Sequence, residues 1–94
     1  MIRQKLDIVN EKGLHARASA KFVEVVEAHD ASAEVEKDGL SASGDSIMGL
    51  LMLAASCGTT IGLAARGADA SEAIAALVTL VESGFGEGCV DGEN

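Results

Sequence analysis

The residues best suited to chemistry lie together between Gly13 and Ser19. His15 follows a glycine by two positions, directly precedes a run with helical spacing, and is followed two positions later by Arg17. A helix N-terminus has unpaired N–H groups and the positive end of the helix dipole, so it favours an anion such as phosphate. A neutral histidine supplies a nucleophilic nitrogen, because its reference pKa is about 6.5. These features predict that His15 accepts a phosphoryl group beside the fixed charge of Arg17, although a single histidine at a loop–helix junction is often an ordinary surface residue.

A second group of candidates surrounds the start of the next helix. Ser46 is a good N-cap residue, and this role alone explains it. As an alternative, Ser46 is a phosphorylation site, since phosphate is tolerated at a helix N-terminus and adds up to two negative charges. Helical spacing turns Ile47 and Leu51 toward the core and leaves Met48 and Met52 on a flank. Exposed methionines suit a surface that contacts several partners, but packing of these two under a loop is equally compatible with the sequence.

Other residue types indicate no further chemistry. His29, Cys57 and Cys89 lack the spacing of metal ligands, and His29 suits the last turn of a helix. No Ser–His–Asp or Cys–His arrangement is recognisable, and the glycines near the C-terminus are not followed by the Lys-Ser/Thr of a phosphate loop. We therefore expect neither a metal nor a cofactor.

The composition limits the class of protein. The chain has 94 residues, a hydrophobic fraction of 48% and an aromatic fraction of 2%, which predicts one small domain with an aliphatic core. A net charge of −8 makes nucleic acid an improbable ligand and favours a partner with a basic patch. Sparse cysteine usage and the absence of a long apolar run predict a cytoplasmic protein without membrane insertion.

Hydrophobic periodicity predicts the order βαββαβα. Three helices should cover one face of a four-stranded, largely antiparallel sheet, which is an α+β fold. Asp38-Gly39 predicts a tight hairpin between the second and third strands. We expect Gly58 to end the second helix, Ser71 to cap the third, and a single domain over residues 1–84 with a disordered acidic tail over residues 85–94. The predicted strands are 2–8, 32–37, 40–43 and 60–65. The first helix is expected at 16–28, and the second from residue 47 with the buried stripe Ile47, Leu51, Ala54 and Ala55. The third helix, with Ser71 as its cap, has the apolar stripe Ala70, Ile74, Leu77, Val78 and Val81.

Two spaced motifs resemble a known family. Gly13-Leu14-His15-Ala16-Arg17 with Phe22-Val23 is similar to the active-site signature of the HPr family, the histidine-containing phosphocarriers of the bacterial phosphoenolpyruvate-dependent phosphotransferase system. Ser46-Ile47-Met48-Gly49 with Leu53-Ala54-Ala55 resembles its second signature. The resemblance covers about residues 2–83 and includes the Asp38-Gly39 turn.

The resemblance implies an open-faced β-sandwich and a carrier rather than an enzyme. His15 would take a phosphoryl group on Nδ1 from phosphorylated Enzyme I and pass it to a histidine of an Enzyme IIA domain, while Arg17 steadies the phosphate. Ser46 would be the target of an HPr kinase/phosphorylase. A monomer is expected, with an apolar docking patch formed by Ala20, Ile47, Met48 and Leu51.

The sequence also departs from the pattern of many family members. Ala18 replaces a proline that often follows the arginine, and Glu24, Glu27 and Gly49 replace lysines found in some sugar-system members. The alanine form resembles the nitrogen-related branch, so both a sugar and a nitrogen circuit stay open. Two other functions also stay open: a regulatory module that docks in its Ser46-phosphorylated form, and a small interaction domain without phosphoryl chemistry.

Overall fold

The computed structural model describes residues 2–10 and 12–86. Within them the predicted order βαββαβα is confirmed, and a short 3₁₀ turn follows the last helix. The elements are β1 (Ile2–Asp7), α1 (Ala16–Glu27), β2 (Ser32–Lys37), β3 (Leu40–Ser43), α2 (Ile47–Met52), β4 (Thr60–Arg66), α3 (Ala70–Glu82) and the C-terminal turn (Gly84–Gly86).

The four strands form one antiparallel sheet in the order β1-β4-β2-β3. Alternation along each strand puts aliphatic side chains on one face, where Val35 and Leu63 pair across β2 and β4 in the core. The other face carries charged residues and stays open to solvent. The helices pack on the aliphatic face, so the predicted open-faced architecture is confirmed. Inward residues of the central strands are Ala33, Val35, Ile61, Leu63 and Ala65.

The hairpin between β2 and β3 is also as predicted. Asp38 has a φ of 53° and Gly39 a φ of 85°, so both central residues adopt the left-handed conformation that a type I′ turn requires.

Helix α2 differs from the prediction in its length and in its buried face. It ends at Met52, with Leu53 as the C-cap, and not at Gly58. Leu50 and Leu53 are buried, whereas Ile47 is 39% exposed and Ala54 is exposed. The predicted stripe of Ile47, Leu51, Ala54 and Ala55 is therefore wrong apart from Ala55 and the half-buried Leu51. The prediction assumed that helical spacing continues through Ala54. The φ of 54° at Ala54 instead turns the chain away from the helix direction.

The start of α3 and the segment after it also correct the prediction. Asp69, not Ser71, is the N-cap, and its carboxylate accepts a hydrogen bond from the Asp30 N–H at 2.8 Å instead of capping the helix. The C-terminal turn is ordered, and Phe85 within it is completely buried. The expected disordered tail is therefore wrong for residues 85 and 86. Residues 87–94, which include Cys89, lie outside the described part of the chain.

Candidate functional site

A tight turn places the N-terminus of α1 against the loop that follows α2. Gly13 has a φ of 64°, and a Cβ built there would lie 2.3 Å from the Ala55 carbonyl oxygen. The next residue, Leu14, donates its N–H to that same oxygen at 2.9 Å. Only glycine combines this backbone conformation with such a close approach. The glycine two positions before His15 thus fixes where α1 begins.

His15 caps α1 with its own side chain. Its backbone is extended, and Nδ1 accepts a hydrogen bond from the Arg17 N–H at 3.2 Å. Because Nδ1 accepts, a neutral ring carries its proton on Nε2 and keeps a lone pair on Nδ1. The ring is half-buried, which leaves it accessible at the surface. The structure therefore places the Nδ1 lone pair at the positive end of the helix dipole.

Arg17 lies in the first turn of α1 and its side chain is exposed. Its backbone N–H is the donor to His15 Nδ1, so the residue meets the imidazole through the main chain. The guanidinium is a forked donor with a fixed positive charge. His15 and Arg17 thus lie next to one another at the start of α1.

Ser46 is the N-cap of α2, as predicted. Its Oγ accepts a hydrogen bond from the Gly49 N–H at 3.0 Å, and the residue is half-buried. The neighbouring Asp45 accepts from the Ser43 hydroxyl at 2.5 Å. Because the His15 loop contacts Ala55, beyond the C-terminus of α2, Ser46 lies at the opposite end of this helix. The six residues of α2 span roughly 9 Å between these two ends.

An apolar surface lies along α2. Met48 is 68% exposed and Met52 is 77% exposed, while Leu51 is half-buried. Exposed Ile47 extends this surface toward β3, where Leu40 is also exposed. Helix α1 packs beside α2 and contributes the half-buried Ala20. The residues predicted as the docking patch therefore lie on two adjacent helices and reach solvent.

His15 and the apolar surface of α2 reach solvent. A groove of about 390 Å³ lies on the open face of the sheet, lined by Arg3, Lys5, Glu34 and Glu36 among others, away from α1. Within residues 2–10 and 12–86 no three metal-ligating side chains converge. No helix in this described part is long and apolar enough to span a membrane. The half-buried His15 lies at the start of α1, the helix that also carries Ala20.

Two residues that shape the site were not predicted from the sequence. Asn10 is completely buried, and its side-chain Nδ2 donates to the Gly13 carbonyl at 2.9 Å. Ala54 holds the left-handed turn that precedes Ala55. An asparagine in a polar connection gives no sign that it will be buried, and an alanine gives no sign of a positive φ.

Comparison with known proteins decides the family. The family model described as "PTS HPr component phosphorylation site" matches residues 2–83. The chain belongs to the HPr family. The phosphocarrier protein HPr of Neisseria meningitidis serogroup A is 47% identical over 88 residues, covering 94% of this chain and 99% of that protein. The phosphocarrier protein NPr of Escherichia coli K12 is 37% identical over 87 residues, covering 92% and 97%.

A solved structure agrees with the fold. The crystal structure of HPr-C-His from Thermoanaerobacter tengcongensis has a TM-score of 0.88 and 44% identity, covering 93% of this chain and 98% of that one. The HPr family consists of phosphocarriers of the phosphotransferase system, and its members are carriers rather than enzymes. The resemblance drawn from the two motifs is thereby confirmed.

Proposed function

We propose that this HPr protein accepts a phosphoryl group on His15 Nδ1 from phosphorylated Enzyme I and passes it to a histidine of an Enzyme IIA protein. The observation that carries the proposal is the hydrogen bond from the Arg17 N–H to His15 Nδ1. It leaves the proton of the neutral ring on Nε2 and directs the Nδ1 lone pair to the helix end. The proposed relay works in the cytoplasm as a monomer.

The transfer exchanges one P–N bond for another. The Nδ1 lone pair attacks the phosphorus of a donor phosphohistidine whose other ring nitrogen carries a proton. The donor nitrogen leaves with the electron pair of the broken bond as a neutral imidazole, and His15 keeps its proton on Nε2. The Arg17 N–H, which donates to Nδ1 before transfer, is then free to donate to a phosphoryl oxygen. The helix dipole and the Arg17 guanidinium stabilise the added negative charge. Because a phosphoimidazole is both reactant and product, the group can move on to the next protein.

The apolar residues Ala20, Ile47, Met48 and Leu51 serve as the shared docking patch for both partners. Their exposure on two adjacent helices supports this role. Glu24 and Glu27 are exposed farther along α1 and add negative charge to that helix. We therefore expect the partners to present cations there, which accords with the net charge of −8.

Phosphorylation of Ser46 by an HPr kinase/phosphorylase would regulate this relay through the docking patch. Ser46 directly precedes Ile47 and Met48, so a phosphate there adds charge to the edge of an apolar surface. A Ser46→Asp variant should accept phosphoryl groups more slowly than Ser46→Ala, and equal initial rates would contradict this regulation.

Incubation with labelled phosphoenolpyruvate and Enzyme I tests the relay. The label should be acid-labile and should disappear in His15→Ala. His29→Ala is the matched control, because His29 is also half-buried but its Nδ1 contacts the Val25 carbonyl at 2.7 Å. This control should retain the label. Labelling of His15→Ala would refute the assignment.

A regulatory module is the second candidate function. It would act by docking the Ser46-phosphorylated form on a regulator, and capture of a partner by that form without any acceptance at His15 would favour it. The Ala18 form resembles the nitrogen-related branch of the family, which supports a regulatory circuit as the alternative to sugar transport. Absence of phosphohistidine with every Enzyme I tested would instead favour an interaction domain without phosphoryl chemistry.

A further inference from the structure

Asn10 is a polar side chain buried completely beneath the loop that carries His15. Its Nδ2 donates to the Gly13 carbonyl at 2.9 Å, and the backbone carbonyl of Asn10 accepts the Gly13 N–H at 3.1 Å. These two hydrogen bonds close the turn from residue 10 to residue 13. Burial of an amide is unfavourable unless it is hydrogen-bonded, so the side chain is matched to this turn.

The Gly13 carbonyl links Asn10 to His15. This oxygen accepts both the Asn10 side-chain N–H at 2.9 Å and the His15 backbone N–H at 2.9 Å. A change in the direction of this carbonyl would therefore move the backbone of His15 directly. Since Nδ1 depends on that backbone to meet the Arg17 N–H, the position of the nucleophile depends on Asn10.

The C-terminal turn packs close to Asn10. A Cβ built at Gly84 would lie 3.5 Å from the Asn10 Cβ, which is van der Waals contact. Phe85 is fully buried although its φ of 57° is unfavourable for a side chain of this size. Its carbonyl accepts a hydrogen bond from Lys21 Nζ at 2.6 Å. Lys21 lies on α1 one turn beyond Arg17, so the helix that starts at His15 also holds the turn that supports its loop.

We propose that Asn10 is a positioning residue for His15, and that Lys21 and Phe85 hold the C-terminal turn against it. The kinetic effect expected from this positioning rests on the proposed function, because it is measured as phosphoryl acceptance at His15. Loss of the Asn10 side-chain donor should misorient the imidazole while leaving the apolar docking patch intact. The saturated rate of phosphoryl acceptance should then fall, with little change in the KM for this protein as substrate of Enzyme I.

The test compares Asn10→Ala with Val35→Ala in the full chain. Val35 is fully buried in the sheet, so its truncation lowers stability without touching the His15 loop. In Asn10→Ala the saturated rate should fall on the order of tenfold, because small misplacements of a reacting group have large kinetic effects. The NMR shift of the Arg17 amide proton should also move, reporting a weakened bond to Nδ1. Val35→Ala should change neither quantity.

Lys21 supplies the second comparison. Lys21→Met removes the donor to Phe85 and should lower the rate in the same direction as Asn10→Ala, whereas Lys21→Arg keeps a donor and should stay near the wild-type rate. The inference is overturned if Asn10→Ala matches Val35→Ala in rate and in the Arg17 amide shift, or if Lys21→Met equals wild type. Failure of the wild-type protein to become phosphorylated on His15 would instead refute the proposed function, and the amide shift would still test the positioning.

Discussion

Gly13→Ala should be far more destabilising than its small size suggests. The left-handed conformation at Gly13, with φ of 64°, destabilises an alanine by about 1–2 kcal/mol. The added Cβ would also lie 2.3 Å from the Ala55 carbonyl oxygen and 2.8 Å from the Ser56 Cα, and both are backbone atoms that cannot rotate away. Overpacking of this kind typically destabilises by about 1–3 kcal/mol. Loss of the hydrogen bond from the Leu14 N–H to the Ala55 carbonyl adds about 1 kcal/mol. The free energy of unfolding should therefore fall by about 3–6 kcal/mol in total.

Gly39→Ala is the matched control. Gly39 has a φ of 85°, but a Cβ built there meets no atom within 4 Å. Only the unfavourable left-handed conformation of the alanine applies here, so the free energy of unfolding should fall by about 1–2 kcal/mol. Urea denaturation at low temperature measures both variants, and Gly13→Ala should unfold at the lower urea concentration, by a free-energy difference of about 2 kcal/mol or more. Equal losses would refute the argument that the close approach to Ala55 determines the position of α1.

Three further changes test the helix ends and the apolar surface. Ala54→Gly should raise the free energy of unfolding by about 1 kcal/mol, because Ala54 holds a φ of 54°; an unchanged or lower melting temperature would contradict this. Ser46→Ala removes the acceptor for the Gly49 N–H and should lower the free energy of unfolding by about 1 kcal/mol, whereas Ser46→Asp should keep most of the stability that this cap provides. Equal urea midpoints for the two variants would argue against the cap. Met48 is 68% exposed, so Met48→Ala should leave the free energy of unfolding nearly unchanged yet slow phosphoryl transfer from Enzyme I. Truncation of the buried Leu50 to alanine should instead lower the free energy of unfolding by about 2–5 kcal/mol. Normal transfer kinetics in Met48→Ala would show that Met48 does not belong to the docking patch.

The element order and the ends of α1 follow from local features of the sequence. Alternation marked the strands, a change of period after residue 15 marked α1, and Asp38-Gly39 marked the hairpin. The cap at Ser46 was also predictable, because N-caps depend on one side chain and the few residues after it.

The errors arise where tertiary contacts override local pattern. Leu50 and Leu53 are buried because α2 stops early and Ala54 redirects the chain, which no periodicity reveals. Phe85 lies in a glycine-rich segment that reads as disordered, yet its burial and the Lys21 hydrogen bond order it. Asn10 is buried because its side chain donates to the Gly13 carbonyl and lies close to Gly84, and neither contact is visible in the sequence.

The central claim is that His15 Nδ1 is the atom that accepts the phosphoryl group. Long-range ¹H–¹⁵N NMR of the protein after reaction with phosphoenolpyruvate and Enzyme I distinguishes a substituted Nδ1 from a substituted Nε2. We expect phosphorus on Nδ1 of His15 and loss of the hydrogen bond from the Arg17 N–H to that nitrogen. Phosphorus on Nε2, or on a residue other than His15, would contradict it.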